Sequence, residues 1–87
     1  QDLFARWGGE EFVLVCRDTD IERAYAIAEK LRELIASQTL AKNIHITASF
    51  GIATLKPHGN IEQLFKAADT ALYDAKSSGR NRVVIAA

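Results

Sequence analysis

The feature that most limits the fold of this chain is an uninterrupted apolar run, Phe12–Cys16, placed directly after Gly8-Gly9-Glu10-Glu11. Paired glycines permit a tight turn, because glycine adopts positive φ without a Cβ clash. The apolar run is typical of a strand covered on both faces. A short mixed segment, Leu3–Trp7, precedes the turn and predicts a second strand. The two strands would form an antiparallel hairpin closed around the glycines and glutamates.

After this hairpin the sequence predicts a helix, a strand, a helix and a last strand. Apolar residues recur at helical spacing from about residue 20 to 37, and they alternate with polar residues from Ile44 to Phe50. Asn60 is suited to cap a second helix, which Gly79 would end. Residues 82–86 predict the last strand. We therefore expect an α+β fold, in which helices pack on a sheet that contains antiparallel strands.

Composition excludes several classes of function. The 87 residues suffice for one small domain, and 11 basic residues balance 11 acidic ones, which argues against a polybasic surface for nucleic acid or membranes. The single cysteine, Cys16, lies in an apolar run and is expected to be a buried hydrophobe in a reducing compartment. The chain has no methionine and opens on Gln1, so we expect a processed product or a fragment.

Glu10 and Glu11 are the first candidates for chemistry. Neighbouring side chains in a strand point to opposite faces, so the two glutamates cannot share one role. Carboxylate oxygens suit Mg²⁺, which takes one or two carboxylates together with phosphate oxygens. A solvated hairpin tip explains the same residues, and the residues alone favour that simpler interpretation.

Lys76 and Arg80 flank the predicted end of the second helix. Cations there interact favourably with the helix dipole, which is a sufficient structural reason for both. The functional alternative is a phosphate clamp, with lysine as a point charge and arginine as a fork. His45 and His58 have no partner at metal-ligand spacing and are expected to be surface residues.

Taken together, these segments resemble a known family. RWGGEEF at residues 6–12 resembles the signature of the GGDEF-family diguanylate cyclases, which make cyclic dimeric GMP from two GTP. ADTALYDAKSSGRNRV at residues 68–83 and ITASFGIA at residues 46–53 resemble further family segments in the family's order. The resemblance implies that residues 1–87 are the C-terminal half of a GGDEF domain, part of a ferredoxin-like fold similar to the palm of nucleotidyl cyclases. The N-terminal half, with a second acidic metal ligand and the guanine-binding residues, has no counterpart in the sequence.

The resemblance also assigns roles to the turn. Gly8 and Gly9 would let the nucleotide lie close to the backbone. Glu10 would bind the metal ion, Mg²⁺ or Mn²⁺, and would be the catalytic base for the 3′-hydroxyl of GTP. Glu11 would be the second acid of the signature, with a supporting part in substrate binding.

The remaining implied residues hold phosphates or product. Lys76 and Arg80 match the phosphate-binding pair of the family. Asp2 matches the aspartate of the Arg-x-x-Asp motif through which the product inhibits the enzyme, and its arginine would precede Gln1.

The implied function is bacterial second-messenger signalling in the cytoplasm, with GTP as substrate and cyclic dimeric GMP as product. Each domain would hold one GTP, so catalysis needs a homodimer. Nucleic acid is not expected as a partner, and sensory or membrane domains would lie elsewhere in the parent protein. The alternative is a degenerate domain that binds GTP or cyclic dimeric GMP as a regulatory module. The 87 residues alone are expected to be inactive.

Overall fold

The computed structural model describes residues 3–7, 10–17, 20–41, 44–55 and 59–86. Its elements are β1 (Leu3–Trp7), β2 (Glu11–Arg17), α1 (Ile21–Ala36), β3 (Thr39–Ala41), β4 (Ile44–His45), β5 (Ser49–Leu55), α2 (Ile61–Ser77) and β6 (Val83–Ile85). Both predicted helices are confirmed. The side chain of Asn60 accepts a hydrogen bond from the backbone N–H of Gln63 at 2.8 Å, as a helix cap should.

The main sheet has the strand order β1-β2-β5-β6. β2, β5 and β6 are parallel, with Glu11 opposite Ser49 and Phe50 opposite Val83. β1 runs antiparallel along the outer edge of β2. α1 connects β2 to β5 and α2 connects β5 to β6, so each connection between the parallel strands is a helical crossover.

The predicted hairpin is present as β1 and β2, but the predicted fold class, an α+β fold on an antiparallel-containing, ferredoxin-like sheet, is wrong for the strands that the helices connect. Those three strands are all parallel, which is an α/β arrangement. The prediction started from the turn at the glycines and extended its local pairing to the whole sheet. The continuous apolar run and the predicted strand–helix–strand order are both typical of parallel strands, and the prediction gave the local hairpin more weight than these two signals.

The two helices cover opposite faces of the sheet. Alternate residues of β2 point to opposite faces, so Leu14 and Cys16 pack with α1 while Val13 and Val15 pack with α2. The core on the α1 side contains Leu14, Cys16, Ala24, Ala28, Ala48, Phe50 and Ile52. The core on the α2 side contains Val13, Val15, Ala53, Leu64, Ala68 and Leu72. The prediction that the apolar run is a strand covered on both faces is confirmed.

The predicted half-buried strand through residues 44–50 is corrected in two ways. The segment is divided, because β4 pairs with β3 in a separate two-stranded sheet before β5 begins. In addition, residues 48–53 are all buried, because α1 covers one face of β5 and α2 covers the other. The alternation of polar and apolar residues therefore does not mark a solvent-facing side here.

Gly51 lies where α2 crosses β5. A Cβ atom at this position would fall inside contact distance of the carbonyl oxygen of Ala68 and the backbone nitrogen of Leu72. The glycine therefore permits a close approach between the backbones of α2 and β5. Within the described part of the chain, no helix is both long and apolar enough to cross a membrane.

Candidate functional site

Charged and polar residues gather at the edge of the sheet where the three parallel strands begin. β2 begins at Glu11, β5 at Ser49 and β6 at Val83, and these starts lie side by side in the sheet. α2 runs back to the same edge and ends at Ser77. Ligands of open α/β sheets usually bind at the opposite edge, beyond the carboxyl ends of the strands. The charged residues therefore lie at the edge opposite to the one that this fold class usually uses.

An ion pair joins the two ends of the predicted site. The Nζ of Lys76 lies 2.9 Å from Oε2 of Glu11. The exposed fractions of the side chains are 30% for Lys76 and 37% for Glu11, and pairs with this much access to water contribute about 0–1 kcal/mol to stability. Lys76 also lies in the last turn of α2, where a cation interacts favourably with the helix dipole. Both charged groups remain accessible to a ligand.

Glu10 occupies the bend directly before β2, and its side chain is exposed. Its backbone carbonyl accepts a hydrogen bond from the N–H of Ser49 at 3.0 Å, which ties the bend to the start of β5. No residue in the described ranges forms an ion pair or hydrogen bond with its carboxylate. Its backbone is thus held while its carboxylate is available.

These carboxylates suit a Mg²⁺ or Mn²⁺ ion that takes some of its ligands from the protein and the rest from a substrate. Across the described residues, no group of three or more His, Cys, Asp or Glu side chains could enclose a metal ion. Mg²⁺ is usually bound through one or two carboxylates, with waters and substrate phosphates completing its coordination. The oxygen chemistry of Glu10 and its accessibility meet that requirement, while Glu11 is engaged by Lys76.

A loop of three residues with positive φ carries Arg80. The φ angles are 133° at Gly79, 61° at Arg80 and 48° at Asn81. Non-glycine residues seldom adopt such angles, and clusters of them are typical of functional sites. The backbone N–H of Arg80 donates to the carbonyl of Ala75 at 2.8 Å, and the Arg80 side chain is exposed. The loop returns the chain from α2 to β6 within a few residues and keeps Arg80 at the same edge as Lys76.

The structure therefore brings four of the predicted site residues to one edge of the sheet: Glu10, Glu11, Lys76 and Arg80. The other three, Asp2, Gly8 and Gly9, lie outside the described residues, and their roles stay predictions.

The sequence reasoning gave no site role to three further polar residues at this edge: Ser49, Asn81 and Arg32. The hydroxyl of Ser49 accepts a hydrogen bond from the N–H of Asn81 at 3.1 Å, and Oδ1 of Asn81 accepts one from Nη1 of Arg32 at 3.0 Å. Asparagine adopts positive φ more readily than most residues, and this was the one local signal available. Nothing in the spacing of the sequence links these residues to the strands and helix that they contact.

Residues 1–82 match the protein family described as "Diguanylate cyclase, GGDEF domain". The chain is 44% identical to the diguanylate cyclase DgcM of Escherichia coli (strain K12) over 85 residues, which cover 98% of this chain and 21% of that protein. It is 41% identical to the probable diguanylate cyclase DgcT of the same strain, over 97% of this chain and 20% of that protein.

A relative from another organism gives a similar result. The chain is 40% identical to the response regulator PleD of Caulobacter vibrioides (strain NA1000 / CB15N), over 95% of this chain and 20% of that protein. The chain thus spans about a fifth of the length of these relatives. The family match over residues 1–82 includes the acidic residues Glu10 and Glu11 and the basic residues Lys76 and Arg80 of the candidate site.

Proposed function

This chain belongs to the GGDEF family of diguanylate cyclase domains, and from that premise we propose that it forms part of an enzyme that makes cyclic dimeric GMP. The substrate is GTP, two molecules of which condense with release of pyrophosphate. The observation that carries the proposal is the meeting of acidic and basic residues at one edge of the sheet, with Glu11 and Lys76 2.9 Å apart. Carboxylates and cations in one place are what a metal-dependent reaction of phosphate groups requires.

The residues at this edge have different roles in the proposed reaction. The 3′-oxygen of one GTP attacks the α-phosphorus of the other, so an O–P bond forms and the bond to pyrophosphate breaks. The exposed carboxylate of Glu10 takes the proton of the 3′-hydroxyl. Lys76 and Arg80 hold the phosphates, and their fixed charges offset the negative charge that grows on the transferring group.

Glu10 is the proposed metal ligand, and Glu11 is its neighbour in the sequence. A Mg²⁺ or Mn²⁺ ion bound there with phosphate oxygens would neutralise charge at the reacting phosphate. The carboxylate of Glu11 is paired with Lys76 and is therefore less available to a metal ion. Glu11 accordingly has a supporting part in substrate binding, and Glu10 binds the metal. Gly8 and Gly9 would let the nucleotide approach the backbone, and Asp2 would belong to an inhibitory product site.

The proposal includes the arrangement of the whole enzyme. Residues 1–87 would be the C-terminal half of the GGDEF domain, and the metal site would be completed by residues from the other half. One domain presents one GTP, so two domains must face each other in a homodimer. The domain would work in the cytoplasm, where GTP is available, in bacterial second-messenger signalling.

The decisive experiment replaces Glu10 with glutamine in the complete protein that contains this chain. Glu10→Gln keeps the size of the side chain and removes its charge, so synthesis of cyclic dimeric GMP should fall to background while the thermal unfolding midpoint is unchanged. Glu62→Gln is the matched control, because Glu62 is an exposed glutamate in the first turn of α2, at the far end of that helix from the site. Near-normal synthesis by Glu10→Gln would show that the assignment of base and metal ligand is wrong.

The same assay separates the enzyme from the regulatory alternative. The unchanged complete protein should make product from GTP and Mg²⁺, whereas the isolated 87 residues should make none, because the family resemblance places a metal ligand and the guanine contacts in the other half of the domain. A complete protein that binds GTP or cyclic dimeric GMP without making product would instead be a regulatory module. Product formed by the isolated chain would overturn the division of the site between two halves of the domain.

A further inference from the structure

Ser49 connects the acidic and the basic parts of the site. It is 2% exposed, at the start of β5. Its backbone N–H donates to the carbonyl of Glu10 at 3.0 Å, and its hydroxyl accepts from the N–H of Asn81 at 3.1 Å. A single buried residue thus contacts the backbone of the bend before β2 and the backbone of the loop before β6.

Asn81 is held from a second direction by α1. Its Oδ1 accepts a hydrogen bond from Nη1 of Arg32 at 3.0 Å. Arg32 is only 19% exposed, and its Nε donates to Glu29 one turn earlier on the same helix, which orients the guanidinium. The backbone N–H of Asn81 is thus bonded to β5 and its Oδ1 is bonded to α1, and both bonds hold the loop.

The loop needs such support because Arg80 and Asn81 both have positive φ. For residues with a Cβ atom this conformation costs free energy, and it persists where the surroundings hold it in place. The contacts that tie the loop to β5 and α1 fall on Asn81, whereas the backbone of Arg80 is bonded to Ala75 and Arg82 and its side chain remains exposed. Asn81 thus links the loop to the sheet and to α1, and the Arg80 side chain can reach a ligand.

We propose that Ser49, Asn81 and Arg32 form a positioning bridge, which fixes the backbone at Arg80 relative to Glu10 and so sets the spacing between the phosphate-holding cation and the metal-binding carboxylate. The inference rests on the proposed function and extends it to residues that do not touch substrate. A bridge with this role should affect the use of GTP more than the stability of the fold.

The first test uses two substitutions of Asn81 in the complete protein. Asn81→Gly accepts positive φ without strain but loses the Oδ1 contact with Arg32, and it should raise the KM for GTP about tenfold. Asn81→Asp keeps an oxygen that Arg32 can bind, and it should restore a KM within about threefold of the unchanged protein. The thermal unfolding midpoint should differ little between the two variants. A normal KM in Asn81→Gly, or equal damage by both variants, would overturn the bridge.

The second test asks whether Arg32 acts through Asn81. Arg32→Ala should raise the KM as Asn81→Gly does, and the double variant should lose no more than either single one, because both changes break the same contact. Arg23→Ala is the matched control, since Arg23 is an exposed arginine on the same helix and should leave the KM unchanged. Multiplied losses in the double variant would mean that the two residues act independently, which contradicts the proposal.

A third measurement keeps the bridge testable if the proposed function fails. In the complete protein, Ser49→Ala removes the acceptor for the Asn81 N–H, so hydrogen exchange at that amide should accelerate at least about tenfold. The Phe50 N–H donates to the carbonyl of Arg82 at 2.9 Å and serves as the internal control. If the unchanged complete protein makes no product, the proposed enzymatic function is wrong. Unaltered hydrogen exchange at Asn81 in Ser49→Ala would instead contradict the proposed bridge.

Discussion

The two helices of this protein have nearly the same length but differ in how deeply they are set into the sheet. α1 has 16 residues and buries Ala24 and Ala28, whereas α2 has 17 residues and buries Leu64, Ala68, Ala71, Leu72 and Ala75. Large apolar side chains of α1 stay partly exposed, with exposed fractions of 37% for Ile27, 41% for Leu31 and 56% for Leu34. Amphipathic spacing is present in both helices, so the pattern alone does not set the depth of packing.

The difference has its origin in the strand beneath α2. Gly51 has no side chain, so the backbone of α2 at Ala68 and Leu72 lies directly on β5. Alanines along the same face of α2 allow this approach over about two turns. The more deeply set helix is also the one that ends in Lys76 and leads to Arg80, whereas α1 contributes Arg32 from the opposite face. The residues proposed to hold phosphate thus lie at the end of the more firmly packed helix.

The largest effect is expected from adding a side chain at Gly51, beneath α2. Gly51→Val would place a branched side chain against backbone atoms of α2, which cannot move aside as a flexible side chain could, and it should lower the free energy of unfolding by more than about 2 kcal/mol. Urea unfolding followed by circular dichroism measures the loss. Gly51→Ala should give a smaller loss in the same direction. Wild-type stability in both variants would show that α2 does not pack closely on β5.

A matched pair of leucines tests the difference in depth directly. Leu72 on α2 is 9% exposed and Leu31 on α1 is 41% exposed. Leu72→Ala should cost about 2–4 kcal/mol of unfolding free energy, because it removes a buried side chain and leaves a cavity. Leu31→Ala should cost less than about 1 kcal/mol. Equal losses in urea unfolding would mean that the two helices are equally buried in solution.

The smallest effect on stability is expected at the end of α2, where the effect on function should be large. Lys76→Ala removes a partly exposed ion pair and should change the free energy of unfolding by less than about 1 kcal/mol. It should weaken GTP binding by the complete protein about tenfold or more, which isothermal titration would measure. Lys66→Ala is the control, since Lys66 is an exposed lysine on the same helix. Equal affinity for GTP in both variants would show that Lys76 does not bind the phosphates.

The candidate site was predicted in part because its residues belong to two compact segments. Glu10 and Glu11 were singled out as charges beside two glycines, Lys76 and Arg80 were singled out as cations that flank the predicted helix end, and all four lie at one edge of the sheet. Ser49 was not singled out, because a serine in an alternating strand has no local mark of its role. Its partner Asn81 lies 32 positions away, and no spacing rule covers such a distance.

Spacing within a few residues was enough to locate both helices, the cap at Asn60 and the buried strand Phe12–Cys16, because these features depend on neighbours along the chain. Folding in three dimensions chose the parallel partners of that strand, put the helices on opposite faces and joined Arg32 to Asn81 across 49 positions. Such contacts depend on which apolar faces can be buried together, and this is a property of the whole chain that no single segment contains.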